Sequence, residues 1–289
     1  MIFDTIKILH IEPTTACNLE CPLCPRERYS HFNKEIVNHL TVEQLTTLFT
    51  NDIIFGLNKM FMCGGYGDPA AGKYSKDIFK YFRSINPNII LGMNTNGSLR
   101  STDYWEDLGK NILNQPNDYV IFSIDGLEDT NHMYRVNSSW DKIISNTQAF
   151  INSGGIAIWD MLVFEYNKHQ VDSARKLAKD LGFKGFNTKI SKRSTSISWL
   201  KPPKQINMSA TGGVIECMAE KEKSLYVSAT GKLYPCCWLG ADFSNNQTVE
   251  KYEEIKQSWN TPSCNSVCKR TCTTKNNLNS FTAQWQNYT

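Results

Sequence analysis

Short apolar runs alternate with helix-like segments along the first two thirds of the chain, and this alternation limits the fold more than any other feature. Six runs have the length and composition of buried strands: Ile6 to Ile11, Lys59 to Met62, Ile89 to Met93, Tyr119 to Ile124, Ile156 to Phe164 and Gly185 to Ile190. Helical periodicity fills the intervals, at about Thr41 to Phe49, Lys76 to Ile85, Thr102 to Ile112, Trp140 to Asn152 and Lys168 to Leu181. Such repeats form parallel sheets whose functional sites lie at the carboxyl ends of the strands. An incomplete barrel and an open doubly wound sheet both satisfy the pattern.

Two of these helices carry end signals. Thr41 and Gln44 have the spacing of a capping box. Asn167 is placed to cap the last helix, with Gln170 three residues further on and Gly182 just past the end. These residues predict where the two helices begin and where the last one stops.

Composition and charge exclude several classes of protein. The chain has 289 residues, 40% of them apolar, and a formal net charge of +3 without blocks of like charge. The N-terminal residues MIFDTIKILHIE lack a basic leader followed by a long apolar segment, and no stretch approaches about 18 uninterrupted apolar residues. We therefore expect a cytoplasmic protein that does not bind membranes or nucleic acid.

Ten cysteines require an explanation other than disulfides, which a reducing compartment disfavours. Nine of them form two groups, three at positions 17, 21 and 24 and six at 217, 236, 237, 264, 268 and 272. The tenth stands alone at 63, and none lies between 63 and 217. Clustering at both ends predicts two metal centres. Cys63 has no cysteine neighbours in sequence, so it is predicted to be a small buried apolar residue.

Glycine-rich and polar loops follow the strands that come after the first. They read CGGYGDP at 63–69, NTNG at 94–97 and SIDG at 123–126. Each is an ordinary turn sequence when taken alone. Because the strands are predicted to be parallel, these loops and the first cysteine group should line one pocket.

These residues together resemble the radical S-adenosylmethionine (radical SAM) superfamily. Cys17-x3-Cys21-x2-Cys24, with Leu23 before the last cysteine, matches the family's cysteine motif, and GYGDP is similar to its Gly-Glu-Pro segment. Asp68 departs from the usual glutamate. The resemblance covers roughly residues 5 to 190 and implies an α/β fold, a partial (β/α)6 TIM-like barrel, over residues 1–200, with a small cysteine-rich domain over residues 201–289.

The resemblance also implies cofactors. Three thiolates would hold a [4Fe-4S] cluster whose open iron binds S-adenosylmethionine, and an external one-electron reductant such as flavodoxin or ferredoxin would supply the electron that releases a 5′-deoxyadenosyl radical. By position, Gly65, Gly67 and Asp68 would contact the methionyl amino group and Leu23 the adenine. Asn96 and Ser123 would face the ribose or carboxylate, and Arg135 would meet the carboxylate.

The C-terminal cysteines resemble the SPASM auxiliary-cluster module, in its shortened "twitch" form. Cys217, Gly231 and Cys236 have the spacing of its opening half, with a predicted hairpin around Ala229 to Gly231, and Cys264, Cys268 and Cys272 would complete the ligands of a second [4Fe-4S] cluster. Cys237 is excluded, because neighbouring residues of an extended hairpin point to opposite faces. Among the last three, Cys268 and Cys272 are favoured, although i and i+4 spacing also permits Cys264 with Cys268.

The resemblance favours a net oxidation or cross-linking of a small molecule or peptide. The first strand begins near residue 5, so no N-terminal leader-binding domain is expected. Asp125, Glu165, His132 and His169 lie near strand ends, but none is singled out as a base. The alternatives are a zinc-binding interaction protein, a homologue that binds SAM without reacting, and a nucleic-acid binder using Lys192-Arg193 and Lys269-Arg270.

Overall fold

The computed structural model of the protein describes residues 6–29, 32–191, 193, 195–203, 214–240 and 247–273. Within these residues eight strands form one sheet: β1 (Ile8–Ile11), β2 (Lys59–Met62), β3 (Ile90–Thr95), β4 (Tyr119–Ser123), β5 (Ala157–Val163), β6 (Gly185–Ile190), β7 (Ser224–Val227) and β8 (Leu233–Tyr234). The first six coincide with the predicted strands to within a few residues. They are confirmed because β1 to β5 are mostly buried, and β6, although partly exposed, pairs with β5 along its whole length.

Strand order decides between the two architectures that the sequence allows. The order is β6-β5-β4-β3-β2-β1-β7-β8, and β1 to β6 are parallel. A doubly wound sheet reverses direction at a switch point, whereas here each strand from β1 to β6 pairs with the next along the chain. The fold is therefore a partial (β/α)6 barrel, as the resemblance implies.

The helices confirm most of the predicted segments. They are α1 (Pro25–Arg28), α2 (Val42–Leu48), α3 (Asn51–Phe55), α4 (Ser75–Ile85), α5 (Thr102–Asp107), α6 (Asn131–Tyr134), α7 (Trp140–Asn152), α8 (Val171–Asp180), α9 (Met218–Lys221), α10 (Cys237–Gly240), α11 (Tyr252–Gln257) and α12 (Ser266–Thr271). Beyond α5 the chain continues as a π-helical turn, Leu108–Ile112. In the described part of the chain no helix is long and apolar enough to cross a membrane.

The end signals have mixed outcomes. Thr41 and Gln44 form both hydrogen bonds of a capping box at α2, and Gly182 adopts φ +86° after α8. The prediction that Asn167 caps the last helix is wrong. Its Oδ1, the atom that a cap would use as acceptor, accepts the Phe164 amide at 2.8 Å instead. Its Nδ2 donates to the carbonyl oxygens of Asp125 and Leu162, at 2.8 and 2.9 Å. A 3₁₀ turn, Lys168–Gln170, precedes α8 instead.

The two faces of the sheet have different environments. On the outer face, alternate residues such as Leu9, Met60 and Trp159 pack in one core with apolar side chains of α4, α7 and α8. The intervening residues, among them His10 and Phe61, whose rings stack with centroids 4.4 Å apart, face the barrel interior. The interior therefore lies beside the loops that carry the predicted site.

The C-terminal segment contributes to the same sheet. β7 and β8 form the predicted hairpin, which is confirmed, with Gly231 at φ +77° in its turn. β7 also pairs in parallel with β1, so that Ile8 aligns with Ser224. The boundary between residues 200 and 201 stays a prediction, and the sheet is continuous across it.

Candidate metal centres

The first cysteine group lies on the loop that follows β1. The side chains of Cys17, Cys21 and Cys24 pack in one apolar cluster with Leu19 and Leu23 of the same loop and with one residue from each of three other parts of the chain: Tyr134, Phe164 and Leu200. Tyr134 belongs to α6, Phe164 follows β5, and Leu200 lies in the segment 195–203 after β6. Leu23 forms part of this apolar wall and is 2% exposed.

Polar groups contact these thiols from several directions. The Leu19 amide donates to Cys17 Sγ at 3.4 Å, and Asn96 Nδ2 lies 3.9 Å from the same sulfur. Burial raises the pKa of Cys17 to about 12 and that of Cys21 to about 11, where the Arg135 guanidinium opposes the rise. Positive charge is needed to hold buried thiols as thiolates. A soft three-thiolate set with amide donors fits an iron–sulfur cluster.

The glycine-rich loop after β2 packs directly on the cysteine loop. A Cβ at Gly67 would lie 2.0 Å from the Thr14 carbonyl oxygen, so only glycine permits this approach. The amides of Tyr66 and Gly67 donate to Glu12 Oε1 at 2.6 and 3.2 Å. The Gly65 carbonyl oxygen faces the other way, 3.8 Å from Cys24 Sγ. The loop therefore presents the Gly65 carbonyl oxygen towards the cysteines.

Asp68 joins this loop to the end of β3. Its Oδ1 accepts from the Ala70 amide and the Thr95 hydroxyl, both at 2.9 Å, and its Oδ2 accepts from the Asn96 amide at 2.7 Å. Asp68 is 5% exposed. Because a carboxylate offers about four acceptor positions, Oδ2 keeps one for a ligand. The shorter side chain thus holds the loop and retains acceptor capacity at the site.

Asn96, Ser123 and Arg135 occupy successive positions around the same rim. Asn96 Nδ2 donates to Asn18 Oδ1 at 3.0 Å, which fixes its side chain beside the cysteine loop. Ser123 ends β4 and pairs with Asp160 of β5. Arg135 Nε donates to Asp125 Oδ2 at 2.6 Å.

Asp125 is the buried anchor of that arginine. Its carboxylate is fully buried and also accepts the Leu162 amide at 2.6 Å. Burial raises the pKa of Asp125, while the Arg135 guanidinium opposes the rise. This carboxylate is therefore engaged in holding Arg135 and is a poor candidate for a base. Glu165, another predicted candidate, forms an ion pair with Lys168 and is partly exposed.

Three polar residues shape this site without having been predicted to do so from the sequence. Glu12 receives the loop amides, Tyr226 of β7 donates its hydroxyl to Glu12 Oε2, and Arg193 Nη1 donates to the Leu23 carbonyl oxygen at 2.8 Å. A glutamate directly after a buried apolar strand is a signal that could have identified Glu12. Neither Tyr226 nor Arg193 has a comparable local signal. Lys192, paired with Arg193 in the nucleic-acid alternative, lies outside the described residues.

A second polar group lines the barrel interior beside this rim. Lys189 forms an ion pair with Asp160 Oδ2, and Asn187 Nδ2 donates to Asp160 Oδ1 at 2.9 Å. On β3, which β4 separates from β5, Asn94 Oδ1 is buried without a hydrogen-bond partner among the described residues. Because Lys189 has further N–H donors, this surface offers both donors and an acceptor to a bound molecule.

Cysteines of the second group lie in an apolar cluster separate from that of the first group. Four thiols of the second group, those of Cys217, Cys236, Cys268 and Cys272, line one pocket together with Trp238, Leu239, Ile255 and Val267. Cys264 packs at the edge of the same apolar cluster, and its Sγ lies 3.6 Å from the Asn265 carbonyl oxygen. Across the described ranges, no group of three or more His, Cys, Asp or Glu residues is arranged to hold a single metal ion.

The four pocket thiols interact with one another. The Cys272 thiol donates to Cys217, which lowers the pKa of Cys217 to about 7 and raises that of Cys272. Burial raises the pKa of Cys236 to about 12 and that of Cys268 to about 11. A complete set of four soft ligands in apolar surroundings fits a closed iron–sulfur cluster.

Cys237 separates from its neighbour Cys236. It opens α10 and lies close enough to Cys63 and Glu12 for their charges to raise its pKa, which burial raises most. It therefore faces the barrel interior. The side chains of Cys236 and Cys237 were predicted to point in opposite directions because both would lie in an extended hairpin. They do so in the structure because Cys237 begins a helix.

Comparisons with known proteins agree on the fold. A family model described as the Radical SAM superfamily matches residues 11–184. SuiB of Streptococcus suis bound to S-adenosylmethionine has a TM-score of 0.62 at 15% identity, covering 84% of this chain and 63% of that one. SuiB bound to the precursor peptide SuiA has a TM-score of 0.62 at 13% identity, and the match covers 90% of this chain and 66% of that one. Native anSMEcpe with bound AdoMet and Kp18Cys peptide has a TM-score of 0.60 at 15% identity, and the match covers 87% of this chain and 83% of that one.

The chain spans less than two thirds of the length of these two SuiB chains. The comparison with curated proteins found no match.

Proposed function

The chain belongs to the radical SAM superfamily, and from this premise we propose that it cleaves S-adenosylmethionine reductively and abstracts hydrogen from a peptidyl or small-molecule substrate. The observation that carries the proposal is the convergence of three thiols on one loop with the glycine loop and Asp68 at the carboxyl ends of β1 to β3. A [4Fe-4S] cluster and SAM bound there supply the electron and the 5′-deoxyadenosyl radical.

The residues around the thiols have distinct proposed roles. Cys17, Cys21 and Cys24 hold the cluster. The Gly65 carbonyl oxygen and Asp68 Oδ2, with Gly67 between them in the loop, accept from the methionyl ammonium. An ammonium has only donors, so a surface of acceptors suits it.

The far end of SAM has its own proposed contacts. Arg135 pairs with the SAM carboxylate through the guanidinium N–H groups that Asp125 leaves open. Leu23 packs on the adenine, and Asn96 and Ser123 border the ribose. The apolar wall of Tyr134, Phe164 and Leu200 excludes water from the reacting atoms.

The substrate is proposed to bind in the barrel interior against Asn94, Asp160 and Lys189. A peptide amide carries one donor and one acceptor, which matches the unpartnered Asn94 oxygen and the free N–H groups of Lys189. The named peptide complexes of SuiB and anSMEcpe support a peptide. A small polar molecule remains the second candidate, because a hydroxyl group offers the same pair.

The C-terminal thiols are proposed to hold a second, fully ligated [4Fe-4S] cluster through Cys217, Cys236, Cys268 and Cys272. Such a cluster exchanges single electrons without an open coordination position. A net oxidation or cross-link would use it as an electron acceptor. An external one-electron reductant such as flavodoxin or ferredoxin would supply the electron to the cluster of Cys17, Cys21 and Cys24.

The decisive experiment is anaerobic reconstitution followed by incubation with SAM and dithionite. We expect 5′-deoxyadenosine and about eight irons per chain, falling to about four irons and no 5′-deoxyadenosine in a Cys17, Cys21, Cys24 triple alanine variant. Cys63→Ala, which removes a thiol outside both groups, is the matched control. It should retain about eight irons per chain and still form 5′-deoxyadenosine. A colourless protein that contains zinc would support the interaction-protein alternative. Full iron without SAM cleavage would support the non-catalytic homologue.

A further inference from the structure

Glu12 is the buried centre of a contact between the two cysteine-bearing parts of the chain. It directly follows β1, is 0% exposed, and accepts the amides of Tyr66 and Gly67 on Oε1. Its other oxygen accepts the hydroxyl of Tyr226, which lies on β7. One carboxylate thus joins the glycine loop to the C-terminal hairpin.

The C-terminal segment holds the Tyr226 ring firmly. β7 lies beside β1 in parallel register, which aligns His10 with Tyr226, and their rings meet edge to face with centroids 4.8 Å apart. Gly240 at the end of α10 packs against the ring so closely that a Cβ there would lie 2.4 Å from Tyr226 Cε1. α10 begins one residue after Cys236. The position of the hydroxyl is therefore set by the part of the chain that carries the second thiol group.

The contact has a consequence for the orientation of the glycine loop. Because Glu12 takes the amides at positions 66 and 67, the N–H groups point inward and the Gly65 carbonyl oxygen points towards Cys24. Without the Tyr226 hydroxyl, Glu12 loses its side-chain donor in a site closed to water and keeps backbone amides as its partners. The carboxylate then shifts or recruits another donor, and the amides that it holds shift with it.

We propose that Tyr226 is a positioning residue of the SAM site, which acts through Glu12 to hold the glycine loop in the orientation that accepts the methionyl ammonium. The proposal deepens and rests on the proposed function. It makes the C-terminal segment part of the SAM site as well as the carrier of a second cluster.

The test compares Tyr226→Phe with Tyr234→Phe in the anaerobically reconstituted full chain. Tyr234 pairs with Tyr226 across the hairpin, so its variant removes a hydroxyl from the same hairpin without touching Glu12. Equilibrium dialysis with radiolabelled SAM should show a Kd about tenfold higher for Tyr226→Phe than for the parent, as for loss of one hydrogen bond to a buried charged group. Tyr234→Phe should match the parent. In SAM cleavage, the KM for SAM should rise while kcat changes little.

The outcomes separate this proposal from the one on which it rests. A parent protein that binds no SAM overturns the proposed function and the positioning role with it. A parent that binds SAM, with equal Kd values in both variants, overturns the positioning role alone. Lower thermal stability of Tyr226→Phe with an unchanged Kd has the same meaning, because a purely structural hydroxyl would act in that way.

Discussion

The two cysteine groups use the same ligand type in opposite surroundings. Around Cys17, Cys21 and Cys24, polar groups arrive from the ends of several strands, including Asn96 and Arg135. Both groups pack against apolar side chains, in the second group Leu239, Ile255 and Val267. Among the described residues that line the pocket of the four C-terminal thiols, however, none is charged. The difference teaches that ligand number alone does not define a site. Charged and hydrogen-bonding neighbours suit the first to a polar ligand, and apolar neighbours suit the second to closure.

Single alanine substitutions in the C-terminal cysteine group should change the iron content most, and they test this contrast directly. Replacing Cys217, Cys236, Cys268 or Cys272 should lower iron from about eight to about four per chain while 5′-deoxyadenosine still forms. Cys264→Ala and Cys237→Ala are the controls and should retain about eight. Iron analysis and assay for 5′-deoxyadenosine check this result. Loss of iron in Cys264→Ala would show that the pocket does not define the ligand set.

A smaller effect distinguishes the charged surroundings of the first site from an ordinary buried ion pair. Arg135→Met leaves the Asp125 carboxylate buried without its cation, and Arg83→Met does the same to Asp118, whose side chain is also 0% exposed. Both variants should lose about 3 kcal/mol or more of the free energy of unfolding, measured in urea. Only Arg135→Met should also weaken SAM binding. Equal SAM affinity in the two variants would remove Arg135 from the site.

The smallest predicted change restores the family's usual residue in the glycine loop. Asp68→Glu adds a methylene to a side chain whose two oxygens already meet three donors, so it should lose about 1 to 3 kcal/mol of the free energy of unfolding. Asp103→Glu on the exposed first turn of α5 is the matched control and should change little. Urea unfolding measures both. A gain in stability for Asp68→Glu would mean that the loop has room which these contacts do not indicate.

The six strands and their parallel order are predictable because each βα unit is local. Apolar runs and helical periods alternate within about thirty residues, which also places the loops on one rim. The choice between barrel and doubly wound sheet depends on which strands are neighbours, and composition does not encode that. The pairing of each strand from β1 to β6 with the next one along the chain decides it.

Contacts between distant parts of the chain set the limit of sequence reasoning at the site. The cysteine motif identifies Cys17, Cys21 and Cys24 by spacing, but nothing near Tyr226 in the sequence indicates that its hydroxyl meets Glu12. The spacing of Cys264, Cys268 and Cys272 permits two ligand pairs. Only the fold distinguishes the two pairs, because it places Cys268 and Cys272 in the pocket with Cys217 and Cys264 at the edge of the apolar cluster.

The parallel pairing of β1 with β7 also affects how the chain folds. β1 is synthesised before its partner on that side, which begins at Ser224, so one edge of β1 has no sheet neighbour until β2 to β6 and the segment after them have been made. Contacts of such long sequence separation form slowly, and an exposed apolar strand edge invites pairing with other chains. The last third of the chain therefore completes the sheet as well as the second thiol group, and its late arrival sets the interval in which the nascent protein is most prone to aggregate.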